Sequence, residues 1–287
     1  MTKVEKIIVG VAVALACVAF VMLLRTAKNY KTAGDEYEQL QQYAVIDSSE
    51  EAEMVSGISP LILDEEDDTK KPLAQNFNRS DFPDIQVDFE KLCAKNQDCV
   101  AWIYMGACGI SYPVVQGEDN DYYIHHTFED TNNSSGAILM DFRDNKHLKD
   151  WNTFIYGHNM KNGSMFGSLK KLLKDDTLYD QDPYFYVFIP GYIYRYKIFS
   201  YYKDAPDSKM YWTPDTLQEY RQYIRDAKSH SVRYFDVETS EDNNMVTLVT
   251  CSGSGEGKQR FFVHGEFIDR YQFMHKRETE EASEEEK

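Results

Sequence analysis

Ile7 to Leu24 is an unbroken apolar run of 18 residues, with Lys3 and Lys6 before it and Arg25, Lys28 and Lys31 after it. A helix that spans a bilayer needs about 20 predominantly apolar residues, so the run predicts a membrane-spanning segment. It is longer than the apolar part of a secretory signal, and basic residues stand where a small-residue cleavage site belongs, which favours an uncleaved anchor. Positive charge on both flanks leaves its orientation open. From Asp35 to about Leu73 the chain is acidic and polar with only short apolar stretches such as Ile58 to Leu63, the pattern of a mobile stalk.

Regular patterning resumes near Phe82, and Val87 to Leu92 reads as a short helix with Asp88 near its start. Runs rich in β-branched and aromatic residues follow, separated by Gly, Asn and Asp: 100–104, 110–115, 137–140, 152–156, 184–189, 192–202, 245–250 and 260–268. Eight or so strands suit a barrel or a sandwich, and closure removes exposed edges. Two helical insertions are predicted. In 166–173, Leu169, Leu172 and Leu173 have helical spacing; in 214–229, Leu217, Tyr220, Tyr223 and Ile224 form one apolar face, with Thr213 as cap and Pro214 in the first turn.

Composition changes this picture in one respect. The formal charge of −17 is concentrated, with 12 acids and no Lys or Arg between Asp35 and Thr69 and six Glu against one Lys from Glu278 onward. Setting these aside leaves 30 acids and 30 bases, so the body is formally neutral. A neutral body between acidic flanks lacks the clustered Lys and Arg of a nucleic-acid binder, and none is expected as a partner. The flanks read as solvated tethers.

Five cysteines stand at 17, 93, 99, 108 and 251. Their spacing lacks the paired short intervals of zinc sites, so no metal is expected, and a disulfide within Cys93, Cys99 and Cys108 stays open. Cys251 ends the strand-like run Thr247-Leu248-Val249-Thr250 and precedes the glycine-rich loop Ser252 to Gly257. Rigid backbone beside a loop suits a nucleophile, although a lone Cys is as readily a buried structural residue. Arg260 opens the next run, where a hairpin returns it towards Cys251 and a guanidinium can stabilise an oxyanion. His158 follows another strand-like run, in Tyr156-Gly157-His158-Asn159-Met160, on a loop where an imidazole can pass a proton. Of the seven histidines, His264 reads as a core residue, and His147, His230 and His275 as exposed.

Together these motifs resemble the sortase family, specifically class B. The histidine motif Tyr156 to Met160 with Gly163-Ser164-Met165-Phe166, the run Thr247 to Cys251 with Arg260, and Trp102-Ile103, Tyr112 to Gln116 and Asp119-Asn120 carry the likeness over about 82–268. The resemblance implies a closed eight-stranded β-barrel with N-terminal helices and a helix inserted before the Cys-bearing strand. It divides the chain into an anchor with flanks (1–31), an acidic stalk (32–80), a catalytic domain (81–275) and an acidic tail (276–287).

The same resemblance implies a membrane-held extracytoplasmic transpeptidase. Such an enzyme cuts a C-terminal sorting motif of secreted proteins after Thr, holds the acyl group on Cys251, and passes it to an amine of peptidoglycan precursor. His158, Cys251 and Arg260 would be catalytic. Asn120 and Ile124 occupy substrate-contact positions, Tyr156 and Thr250 neighbour the catalytic pair, and no cofactor is needed. Val249 stands where class B often has Ser, and Ser252-Gly253 where an acidic residue is frequent, so substrate preference is open. A pilin-polymerising sortase, a tethered cysteine peptidase and a non-catalytic surface-binding domain are the rival readings.

Overall fold

The computed structural model describes residues 2–45, 81–240, 243–251 and 259–272, with Cys251 and Gln272 described by their backbone. Helix α1 (Lys3–Leu40) carries the apolar run and is long and apolar enough to cross a membrane. It does not stop at the basic flank. The helix continues to Leu40 through the first residues of the predicted stalk, because Ala33, Glu36, Tyr37 and Leu40 recur at helical spacing and bury one face. A short strand β1 (Ala44–Val45) then pairs antiparallel with β2 (Gln86–Val87), a contact the sequence did not announce. The rest of the stalk and the acidic tail lie outside the described residues.

Helix α2 (Phe89–Lys95) starts at Asp88, whose side chain accepts a hydrogen bond from the Lys91 amide at 3.0 Å. Thereafter come β3 (Cys99–Met105), β4 (Ile110–Val115), α3 (Tyr122–His125), β5 (Ile138–Met140), β6 (Asn152–His158), α4 (Thr177–Gln181), β7 (Tyr184–Ile189), β8 (Tyr192–Asp204), α5 (Leu217–His230), β9 (Met245–Cys251) and β10 (Arg260–Gln272). Eight strands close a barrel in the order β10-β8-β7-β3-β4-β5-β6-β9. Two contacts are parallel, β4 with β5 and β6 with β9, and the others antiparallel. Closure leaves no edge among these eight strands, as the resemblance implied.

Large side chains fill the barrel, among them Phe154, Phe185, Tyr196 and Phe188, all buried. The long β8–β10 ladder also buries an ion pair, Arg195 Nη2 to Asp269 Oδ2 at 2.5 Å. His264 is buried as expected, between the Thr247 hydroxyl at 2.9 Å and the Tyr202 hydroxyl at 3.0 Å.

The two insertions differ in detail from the sequence expectation. Residues 166–173 form a 3₁₀ helix, in which Phe166, Leu169 and Leu172 eclipse at i, i+3 and i+6 and all face inward. Helix α5 begins at Thr216, not Thr213, because Glu219 completes a reciprocal capping box with Thr216. The Thr213 hydroxyl instead donates to the Asn152 carbonyl at 3.0 Å. Tyr220, Tyr223, Ile224 and Ala227 are the buried face of α5, immediately before β9 in the chain. Cys93, Cys99 and Cys108 are thiols, with the Cys93 sulfur 3.5 Å from the Cys99 carbonyl.

Candidate active site

Strands β6 and β9 run parallel, and their register sets His158 directly beside Cys251. On the other side of β9, the antiparallel register with β10 pairs Phe262 with Val249. Arg260 opens β10 two residues before Phe262, and Cys251 ends β9 two residues after Val249. β6 and the consecutive strands β9 and β10 thus bring His158, Cys251 and Arg260 towards one row at one end of the barrel. The Phe261 amide donates to the Thr250 hydroxyl at 3.0 Å, which holds the β9–β10 ladder together one step from that row. Thr250 is buried there, with its hydroxyl directed at backbone.

His158 sits half-buried against the segment that joins α3 to β5. Its Nε2 lies 2.8 Å from the Ile124 carbonyl oxygen. A carbonyl only accepts, so the proton is assigned to Nε2 and Nδ1 is the nitrogen left for proton exchange. Gly136, at φ +57°, fits edge-on to the same ring: a Cβ there would meet the Tyr123 and Ile124 carbonyl oxygens at 2.7 and 2.8 Å and His158 Cδ2 at 2.9 Å. Burial lowers the His158 pKa below its ordinary 6.5. The bond to Ile124 works the other way, while the positive charges of His125 and Arg260 add to the lowering.

Tyr156, two residues before His158, donates to Asp141 Oδ2 at 3.0 Å. Asp141 is fully buried and also accepts from Arg143 Nε at 2.9 Å and Nη2 at 2.8 Å, and it is hydrogen-bonded to Asn120. Asn120 Oδ1 in turn accepts from the Phe142 amide at 3.0 Å. Burial pushes the Asp141 carboxyl up, but the Arg143 bonds and charge outweigh it and hold the group below the usual range. Asn120 and Tyr156 are therefore brought together through Asp141, while Ile124 meets His158 through its backbone.

Asp141 and Gly136 escaped the sequence reading. An Asp closing a strand-like run reads as a turn residue, and a lone Gly before Ala137 reads as loop punctuation. Their roles depend on partners that only the barrel brings near.

A family model described as the sortase domain matches residues 103–268. The chain belongs to the sortase family. This sortase is 34% identical over 206 residues to Sortase B of Listeria monocytogenes, covering 70% of this chain and 81% of that one. It superposes on sortase B from B. anthracis with a TM-score of 0.63 at 25% identity, over 84% of this chain and 98% of that one. The Staphylococcus aureus sortase B–substrate complex gives a TM-score of 0.59 at 31% identity, over 63% of this chain and 84% of that one. These likenesses place this sortase with class B, and its general activity is cysteine transpeptidation.

Proposed function

We propose that this sortase cleaves a C-terminal sorting motif of secreted proteins after Thr and transfers the acyl group to an amine of peptidoglycan precursor, with Cys251 as nucleophile. The observation that carries the assignment is the register that sets His158 beside Cys251, with Arg260 entering on the adjoining strand. The Cys251 thiolate adds to the Thr carbonyl carbon, and the electron pair moves to oxygen. Arg260 offsets that developing charge, in the role where one donor is typically worth about 3 kcal/mol. Collapse breaks the peptide C–N bond as His158 gives a proton from Nδ1 to the departing amine, leaving a thioester on Cys251. An incoming amine then loses a proton to Nδ1 as it attacks, and the sulfur leaves as thiolate.

Asn120 and Tyr156, tied through Asp141, form the wall on which the peptide is read; Ile124 orients His158, and Thr250 holds the strand end that presents Cys251. The apolar part of α1 serves as the anchor, with the catalytic domain outside the membrane, where secreted substrates and the wall amine are found. Lys3 and Lys6 then face the cytoplasm.

The test is product analysis. The full chain in detergent, incubated with sorting-type peptides and a glycine-type amine, should give a peptide adduct on Cys251 and an amine-capped product by mass spectrometry. Cys251→Ala should give neither. Hydrolysis alone across several motifs and amines would replace the transferase reading with a peptidase, and an adduct on another cysteine would overturn the assignment of Cys251.

A further inference from the structure

The barrel is gripped by the same helix that carries the apolar anchor. At 1.5 Å per residue, the 16 residues from Arg25 to Leu40 extend α1 about 24 Å beyond its apolar run. This extension docks mainly on one segment, the connection from α3 to β5. Asn133 Nδ2 donates to the Asn29 carbonyl at 2.9 Å, and the Glu129 amide donates to Glu36 Oε1 at 2.9 Å. The Tyr37 hydroxyl donates to the Gly136 carbonyl at 2.7 Å and accepts from the Phe128 amide at 3.3 Å. Tyr37 is buried, and its ring meets Tyr112 edge-on at 5.4 Å. The Tyr112 hydroxyl accepts from the Met165 amide at 3.1 Å, in the loop that follows His158.

The inner side of that connection is the cradle of His158. Gly136 packs against the imidazole edge, and Ile124 fixes Nε2. The Ala137 amide donates to the Tyr123 carbonyl at 2.8 Å and the Asn133 amide to the His125 carbonyl at 2.8 Å, so α3 and the strand entry move as one piece. A single residue, Gly136, thus carries the Tyr37 hydrogen bond on its carbonyl and the imidazole against its Cα.

We propose that Tyr37 is a positioning residue for His158, and that the 29–40 segment of the anchor helix is a working part of the catalytic unit as well as a tether. The inference rests on His158 being the proton-handling residue. Without the Tyr37 hydroxyl, the Gly136 carbonyl and the Phe128 amide lose a buried partner and the cradle loosens. Water then reaches the imidazole, and the burial that depresses its pKa is weakened. Small displacements of a proton donor cost rate more than binding.

The experiment uses the full chain in nanodiscs and compares Tyr37→Phe, which keeps the ring, with Gln41→Ala. Gln41 Nε2 donates to the Ser111 carbonyl at 2.7 Å and reaches the Tyr37 carbonyl only at 3.5 Å, so the control loosens the same helix end at β4 and keeps the Tyr37 hydroxyl with its bonds to Gly136 and Phe128. Tyr37→Phe should lower kcat by about tenfold with little change in peptide KM. It should also move the His158 titration, followed by NMR in a Cys251→Ala background, upward towards 6.5. Gln41→Ala should change neither. An unmoved His158 titration with unchanged kcat in a folded Tyr37→Phe protein would overturn the inference, as would equal effects from both variants. His158→Ala separates the two readings: retained transpeptidation there removes the role of His158 itself, whereas its loss beside a silent Tyr37→Phe removes only the role of Tyr37.

Discussion

The Nε2 atom of His158 and the carbonyl oxygen of Ile124 lie 2.8 Å apart, and that contact decides which nitrogen works. With Nε2 committed as a donor, the imidazole can give or take a proton only through Nδ1. A ring held at one edge by a carbonyl and at the other by Gly136 keeps that atom in place.

The first consequence is a depressed titration. In a Cys251→Ala protein, the His158 ring protons should titrate below the ordinary 6.5, because burial outweighs the hydrogen bond to Ile124. The acid form therefore fades as pH rises through that lowered value, and the leaving-group proton becomes scarcer on the alkaline side. NMR titration of the histidines checks this, and a midpoint above 6.5 would reject the account of the site's electrostatics.

Gly157 shows why the residue before His158 has no side chain. A Cβ there would meet Ile138 Cδ1 at 2.5 Å and Phe166 Cγ at 2.7 Å, both buried. Gly157→Ala should destabilise the domain by about 1–3 kcal/mol through overpacking and displace β6 from β5. Urea unfolding measures the loss; an unchanged midpoint would show that Ile138 and Phe166 yield freely.

Much of this architecture could be read from residue patterns. The eight strands fell where β-branched and aromatic runs lie between turn residues, the apolar face of α5 followed helical spacing, and the anchor followed from its unbroken apolar run. Two features stayed hidden for a physical reason. The continuation of α1 past Asp35 depends on Ala33, Tyr37 and Leu40 finding the barrel, while the surrounding acids give the segment the composition of a solvated stalk. Cys251 gains His158 as its neighbour through a parallel pairing of strands 93 residues apart, a register that no local pattern encodes. His158 and Cys251 were therefore legible as motifs, but Asp141 and Gly136 only as contacts.

The buried His264 makes stability depend on acidity. Burial lowers its pKa to about 3, whereas the unfolded chain takes up the proton near the ordinary 6.5. Its contribution is full above about 6.5 and is lost as pH falls from there towards about 3. Between pH 7 and pH 5 this one group should remove about 2 kcal/mol. Glu266 has the opposite sign: burial raises it to about 7, so its contribution is lost as pH rises from the unfolded value through 7. Urea midpoints of wild type and His264→Gln at both pH values separate the two. A pH response identical in the variant would remove His264 from the account.

Asp141 and Tyr156 should be energetically coupled. Asp141 is fully buried, whereas its ionic partner Arg143 keeps 63% of its side chain exposed, so the pair is worth less than a fully buried one. The Tyr156 hydroxyl, tucked against the same carboxylate, relies on it more heavily. Asp141→Asn and Tyr156→Phe should each cost about 1–2 kcal/mol. The double variant should fall short of their sum by about 0.5 kcal/mol or more, since the second change finds the bond already gone. Because the Asp141 carboxyl is held below its ordinary range, its contribution is present above the unfolded value and is lost as pH falls through the folded one. Asp141→Asn should therefore flatten the acid limb of stability, while Tyr156→Phe should shift it only slightly. Additive losses with an unaltered acid limb would mean that Tyr156 is held by its stacking on Phe154, with ring centroids 6.0 Å apart, and not by Asp141.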